Sequence, residues 1–294
     1  MKIVCAIDGS RYSEWTLDWL RRLCSPDEGS LLLVHAVDMT QFKALPNLNR
    51  RARSALVKVL EFSLEGAARL LEGAEMKAAS TWGDVRAKLL RGRPAEVIAR
   101  SARQERADLL VLGSRGTTEF QPMFMGSVSR KVLMGALCPV LVVKKPARAL
   151  KRVVLGTNGS IDAWNAVAWL GQLPEQVRPA VTVVTVIPPL PLESIRVPAR
   201  ALAVCDQVEG VLRREAKKLA SRTAGALRKD GFPAIGIVVA GPPGAALVEL
   251  AGRERADLII VGSRSGRSAQ EYFMGSVADM VVKHAPCSVL VHRG

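Results

Sequence analysis

Aromatic residues, cysteines and histidines are scarce in this chain of 294 residues. Aromatic side chains make up only 4% of it, so the stacking platforms on which proteins bind single-stranded nucleic acid are few. The five cysteines form no Cys-x-x-Cys pair and no cluster with the three histidines. This pattern argues against a disulfide framework and against a structural zinc site, and it is typical of a protein in a reducing cytosol.

Long apolar segments are also missing. The longest uncharged run, 231–248, contains three prolines and four glycines, so it cannot form a regular membrane-spanning helix. The N-terminal sequence reaches Asp8 without an apolar segment of signal length. We therefore expect a cytoplasmic protein that is neither exported nor membrane-bound.

Positive charge is in excess, with 42 Lys and Arg residues against 27 Asp and Glu residues and a formal net charge of +15. The excess is spread over both halves of the chain and forms no basic tail. Such a surface attracts phosphates or nucleic acid. Because aromatic residues are so few, we expect a solvated arginine-rich surface and do not expect nucleic acid to be the main ligand.

The chain repeats itself after about 150 residues. Glu105–Leu109 recurs as Glu254–Leu258, and Phe124–Val128 recurs as Phe273–Val277, both at an offset of 149. A period this long indicates two copies of one domain and not a solenoid. The charged, proline-containing segment at 144–148 is the expected joint, which gives domains 1–147 and 148–294.

Within each copy, short apolar runs alternate with segments of helical spacing. In the first copy, Ile3–Ile7 and Leu31–Val37 predict strands, Arg50–Leu71 predicts a long amphipathic helix, and Glu75–Thr81 weakly predicts a third strand. Strands that are apolar on both faces and separated by helices indicate a parallel sheet with helices on both faces. The predicted fold is α/β, with a doubly wound open sheet in each copy.

The loop after the first strand, Asp8-Gly9-Ser10, lies where ligands bind in such sheets, beyond the carboxyl ends of the strands. A carboxylate there can accept hydrogen bonds from ribose hydroxyls or from an adenine amino group. The same three residues also suit a simple helix cap, with Gly9 making the turn. The sequence leaves both interpretations open.

A second loop has the chemistry of an anion site. It runs from Gly113 through Arg115 and Gly116, and after nine further residues it reaches Gly126-Ser127 at the start of a predicted helix. The glycines let the backbone approach a ligand, the helix N-terminus presents N–H groups, and Arg115 adds a positive charge. These features suit a triphosphate. The alternative is a C-cap glycine followed by an ordinary Ser N-cap.

This Gly-x2-Gly-x9-Gly-Ser pattern resembles the nucleotide motif of the universal stress protein family. The resemblance covers essentially the whole chain, once per half, as in a tandem two-domain member. It implies five-stranded sheets ordered 3-2-1-4-5, with the last strands pairing between the domains in an intramolecular pseudo-dimer. A homodimer is a further expectation. For ATP-binding members it also implies a nucleoside and phosphate site formed by Ala6, Asp8, Ala36, Gly113, Arg115, Gly116, Gly126, Ser127 and Val128.

The second copy departs from the motif. Asn158 replaces the acid, and Ser265 replaces the second glycine, where close backbone approach or a positive φ is needed. We therefore expect the first copy to bind ATP and the second to bind more weakly or not at all. The weaker site consists of Asn158, Val186, Gly262, Arg264, Ser265, Gly275, Ser276 and Val277.

No catalytic constellation stands out in the sequence. It has no His-Glu-x-x-His motif, no metal-ligand spacing and no Gly-x-Ser-x-Gly elbow. We therefore expect a nucleotide-dependent regulatory protein of the stress-response type, not an enzyme. Two alternatives stay open: a nucleotide-independent interaction scaffold, and a slow ATPase with Mg²⁺ or Mn²⁺ bridging the phosphates.

Overall fold

The computed structural model describes residues 1–25, 29–40, 49–116, 125–147, 149–190, 199–263 and 274–293, apart from the side chains of residues 199–203. The chain divides into two compact units, Met1–Ala147 and Arg148–Gly294.

The first unit alternates strands and helices. Its strands are β1 (Lys2–Ala6), β2 (Ser30–Val37), β3 (Asp84–Arg91), β4 (Leu109–Gly113) and β5 (Val140–Val143). Its helices are α1 (Arg11–Leu23), α2 (Arg50–Ala79), α3 (Pro94–Gln104) and α4 (Ser127–Gly135). The strands are parallel and lie in the order β3-β2-β1-β4-β5, with Ala6 aligned to Val34 and Leu112.

The second unit repeats this arrangement. Its strands are β6 (Arg152–Gly156), β7 (Ala180–Ile187), β8 (Ala234–Ala240), β9 (Leu258–Gly262) and β10 (Ser288–His292). Its helices are α5 (Ile161–Gly171), α6 (Ala199–Lys229), α7 (Pro243–Arg253) and α8 (Ser276–His284). The order β8-β7-β6-β9-β10, all parallel, is the same 3-2-1-4-5 order.

Fully buried strands supply much of the core of each unit. Every residue of β4, β5 and β10 is buried. Burial on both strand faces requires cover on both sides of the sheet, which the crossover helices provide. The predicted α/β class and the five-strand order are confirmed in both units.

One predicted element of the first unit is wrong. Residues 75–79, expected to begin a strand, continue α2 to Ala79. Ala67, Leu71 and Ala78 are its buried positions, at spacings of four and seven residues, and the segment is rich in good helix formers. The third strand is Asp84–Arg91, where the exposed face carries charged side chains at every second position.

Within the part of the chain that the structure describes, no helix has the length and apolarity needed to cross a bilayer.

Candidate functional site

Asp8 and Ser10 make the turn that leads from β1 into α1. Gly9 has φ +79°, which L side chains rarely adopt. The Ser10 N–H donates to Asp8 Oδ1 at 3.0 Å, and the Ser10 side chain accepts from the Ser13 N–H as the N-cap of α1. Ser10 is therefore the cap, and Asp8 holds the turn through one carboxylate oxygen.

The phosphate loop begins where β4 meets α1. A Cβ atom on Gly113 would lie 2.7 Å from Tyr12 Cβ and 3.1 Å from the Tyr12 backbone carbon. Gly113 is thus required by the close packing of α1 on the end of β4. The sequence had assigned this glycine to a ligand, and the helix contact is an additional, structural reason for it.

Two hydrogen bonds bring the far end of the loop back to its beginning. The Gly126 N–H donates to the Ser114 carbonyl at 2.8 Å. The Ser129 hydroxyl donates to the Gly113 carbonyl at 2.7 Å. The start of α4 therefore lies against the end of β4, and the two stretches of the motif converge as the sequence predicted.

The N-cap of α4 is Gly126, in an extended conformation, and no side chain among the described residues caps this helix. The alternative of an ordinary Ser N-cap is therefore wrong, since Ser127 is the first helical residue. Ser127 and Val128 are exposed. A glycine cap leaves the first-turn N–H groups approachable by an anion, and the helix dipole favours negative charge there.

Arg115 lies over α1 at the same edge. Its Nη1 donates to the Tyr12 hydroxyl at 3.1 Å, and the guanidinium lies 5.7 Å from the centre of the Tyr12 ring. The Arg115 carbonyl accepts a long hydrogen bond from Ser10 Oγ at 3.4 Å. These contacts keep a permanent positive charge beside the loop.

Gly116 touches the carboxylate of Asp8. A Cβ atom on Gly116 would lie 2.8 Å from Asp8 Oδ2. Its φ is not among the positive values of the chain, so the suggestion that a positive φ requires glycine here is wrong and close approach is the reason. The two predicted loops thus meet at Asp8 and Gly116.

The expected nucleoside side lies at the ends of β1 and β2. Ala6 is the last residue of β1, and Ala36 lies two residues beyond Val34, its aligned partner on β2. The His35 Nδ1–H donates a hydrogen bond to the Ile7 carbonyl at 2.8 Å. These contacts order the strand ends that border the crevice.

Asp38 adds a second carboxylate at this edge. Hydrogen bonds from the Thr40 hydroxyl and the Thr40 N–H hold the pKa of Asp38 below its usual value. Asp38 is therefore ionised at neutral pH and turned towards Thr40.

The second unit has the same framework around an open cavity. The Gly275 N–H donates to the Ser263 carbonyl at 2.8 Å, and Asn158 Oδ1 accepts from the Ser160 N–H at 3.1 Å. A cavity of about 390 Å³ opens between the ends of β6, β7 and β9 and the start of α8. Six predicted residues of the weaker site line it: Asn158, Val186, Gly262, Gly275, Ser276 and Val277. Arg264 and Ser265 lie outside the described residues.

The walls of this cavity differ from the first unit in charge. Asp162 stands where the first unit has Tyr12. It is 5% exposed and accepts from the Ser263 hydroxyl at 2.9 Å, directly behind Gly262. The second unit thus has a buried carboxylate where the first unit has the Tyr12 side chain, while Arg264, the counterpart of Arg115, lies outside the described residues.

The described cysteines and acids form no metal centre. No group of three or more His, Cys, Asp or Glu residues able to hold a metal occurs in the ranges described. Burial raises the pKa of Cys5 and Cys24 to about 12, so both are poor nucleophiles. Cys287 is buried, whereas Cys138 is only partly so.

Sequence reasoning missed two residues of this site, Tyr12 and Ser129. Neither recurs in the second copy, where Asp162 and Ala278 occupy their places. A search for repeated residues therefore passed over both. A tyrosine just after the Gly-Ser turn and a second serine after Gly126-Ser127 were the available signals.

A sequence model described as the universal stress protein family matches this chain twice, at residues 1–144 and 149–293. The chain belongs to the universal stress protein family. A family member from Methanocaldococcus jannaschii is 32% identical over 148 residues, covering 50% of this chain and 84% of that protein. A member from Thermus aquaticus is 34% identical over 142 residues, covering 48% of this chain and 97% of that protein.

The tandem arrangement has a structural counterpart within the family. A universal stress protein from Archaeoglobus fulgidus DSM 4304 superposes with a TM-score of 0.67 at 18% identity, covering 99% of this chain and 98% of its own. At this identity, the likeness concerns the fold.

Proposed function

We propose that the first unit binds ATP at the crevice formed by the Asp8 turn, the 113–116 loop and the start of α4, and that occupancy regulates the choice of protein partner. The observation that carries the proposal is the hydrogen bond from Gly126 to Ser114, which draws both parts of the motif to one place. Since α4 begins at an uncapped glycine, its first N–H groups suit the triphosphate oxygens.

Different residues contact different parts of the bound nucleotide in this proposal. Arg115 neutralises phosphate charge, while Asp8 Oδ2, the oxygen beside Gly116, accepts from a ribose hydroxyl. Ala6 and Ala36 present backbone groups to the base. A bound Mg²⁺ or Mn²⁺ would supply further charge neutralisation on the phosphates. We assign nucleotide binding, and not turnover, to this arrangement.

We also propose that the second unit is the weaker nucleotide site. Its cavity of about 390 Å³ lies within the range of small-molecule sites. Asn158 brings no charge, and the buried Asp162 carboxylate lies behind the phosphate end. The cavity therefore favours a ligand with little negative charge over a triphosphate.

Isothermal titration calorimetry of the full chain with Mg–ATP tests the first site, with cAMP and ADP as competitors. We expect Asp8→Asn, which copies Asn158, to weaken binding about tenfold, the loss of one charged hydrogen bond. Asp84→Asn is the matched control, because Asp84 is exposed at the amino end of β3, at the opposite edge of the sheet. If wild type fails to bind ATP, the nucleotide-independent scaffold replaces this proposal.

A further inference from the structure

A cavity of the first unit lies between α1 and α2 and reaches the Asp8 turn at Gly9. Its volume is about 480 Å³, within the range of small-molecule sites. Ile7, Leu17 and Leu70 form the apolar floor of the cavity. Gly73 and Ala74 line it on the α2 side, where their small size leaves space. A Cβ atom on Gly73 would meet nothing within 4 Å.

Charged side chains of both signs ring this groove. Arg21, Arg69 and Lys77 supply three cations, and Glu14 and Asp18 supply two anions. Arg21 pairs with Asp18 at 3.8 Å, and it also donates to the Lys77 carbonyl at 3.3 Å. Within the described ranges, no ion pair joins Glu14, Arg69 or Lys77, so two cations and one anion face the groove.

The second unit shows the same place filled. Trp164 stands at the position of Glu14, and Arg222 at the position of Gly73. The Arg222 guanidinium lies 4.8 Å from the centre of the Trp164 ring, so the two side chains stack across the space between α5 and α6. The open groove is therefore a property of the first unit and not of the fold.

Most charges of the groove are also specific to the first unit. Three of its five charged residues correspond to uncharged small residues at the offsets of the repeat, and Glu14 corresponds to Trp164, whereas Arg69 corresponds to another cation, Lys218. The pairs are Asp18 with Ala168, Arg21 with Gly171, and Lys77 with Ala226. If these residues merely formed a solvated helix face, nothing would explain why the charges and the open space occur together in one copy.

We propose that this α1–α2 groove binds a small zwitterion of net negative charge, an acidic amino acid or a molecule of that type. Arg69 and Lys77 take its carboxylates, Glu14 takes its ammonium group, and the methylene groups cover Leu17 and Leu70. The ligand balances the two cations and one anion left facing the groove. This site does not depend on nucleotide binding.

Calorimetric titration of the full chain with L-glutamate tests this assignment. Glutarate lacks the ammonium group, and L-lysine reverses the net charge. We expect L-glutamate to bind with a Kd of about 1 mM or tighter, glutarate more weakly, and L-lysine weakest. Two results would overturn the proposal: no binding heat with L-glutamate at a concentration about ten times the expected Kd, or tighter binding of L-lysine than of L-glutamate.

The variant Glu14→Trp/Gly73→Arg transfers the plug of the second unit into the groove. It should abolish L-glutamate binding while the melting temperature and the ATP titration stay as in wild type. Retained L-glutamate binding in a folded plugged variant contradicts the site. A second variant, Arg69→Met/Lys77→Met, changes only exposed side chains and should weaken binding at least tenfold. Lys58→Met, also exposed on α2 but outside the groove, is the matched control.

Discussion

At the scale of single residues, Gly113 has two roles, and the second of them leaves no room for a larger side chain. It ends β4 at the crevice, and it packs against α1 so closely that an added Cβ would lie 2.7 Å from Tyr12 Cβ, a distance that real Cβ atoms essentially never show. In the second unit, Gly262 has the same role, since a Cβ there would lie 2.9 Å from Asp162 Cβ. Packing alone therefore explains why this glycine occurs in both copies, whether or not the second copy binds a nucleotide.

We expect Gly113→Ala to lower the free energy of unfolding by about 1–3 kcal/mol, because the added methyl group must displace Tyr12 and the α1 backbone. Urea denaturation of the full chain, followed by circular dichroism, measures the change. Gly66→Ala is the control, since Gly66 lies inside α2 with nothing within 4 Å of a Cβ. There we expect a gain of about 0.5–1 kcal/mol from helix propensity. Equal effects of the two substitutions would show that Gly113 is not constrained by α1.

The residues of the first site could be predicted from sequence where they follow strand ends. Asp8, Gly116 and Gly126 all lie at the edge to which parallel topology brings them. The physical reason for each residue could not be predicted. Gly116 is small because of the Asp8 carboxylate and not because of its φ, and only coordinates show which atoms approach one another.

At the scale of elements, the length of helix α2 explains why one strand of the first unit was predicted wrongly. Glu75–Thr81 is short, alanine-containing and mixed in polarity, so local pattern alone does not separate strand from helix. The continuous packing of Ala67, Leu71 and Ala78 decides for α2. The true β3 has charged side chains on one face, which makes its hydrophobic signal weak.

Strand β10 ends in a buried histidine, which makes the stability of the second unit depend on pH. His292 is 7% exposed, and its Nδ1 has no hydrogen-bond partner within the described residues. Burial lowers the pKa of His292 below its ordinary 6.5, although the Asp162 carboxylate acts in the opposite direction. The unfolded chain therefore binds the proton more readily, and stability is lost as the pH falls through 6.5.

We expect His292→Val, which copies Val143 at the end of β5, to reduce the loss of stability between about pH 7 and pH 5. Urea midpoints of wild type and variant across that range measure the difference. His284→Asn, at the C-terminal end of α8, controls for removal of a histidine in general. A wild-type slope that survives His292→Val would assign the pH dependence to other groups.

At the scale of the whole molecule, the repeat made most of the fold predictable. Two copies of one pattern reinforce each assignment, so the positions of the loops emerged from residues common to both halves, whereas the strand order came from the resemblance to the family. Features that occur in only one half had no such support from repetition. Tyr12, Ser129 and the groove between α1 and α2 belong to the first unit alone, and a method that weights recurrence overlooks them.

The differences between the copies predict an asymmetric response to ATP. Ligand bound only to the folded state adds about 2.7 kcal/mol at a hundredfold excess over Kd. We expect this protection in the first unit, where hydrogen exchange of peptides covering 109–116 and 126–133 should slow strongly.

The equivalent peptides of the second unit, 258–263 and 275–282, are the internal control in the same sample. Asn158 and the buried Asp162 disfavour the triphosphate there, so their exchange should change little. Equal protection of both units would mean that the charge of these side chains does not discriminate between the two sites.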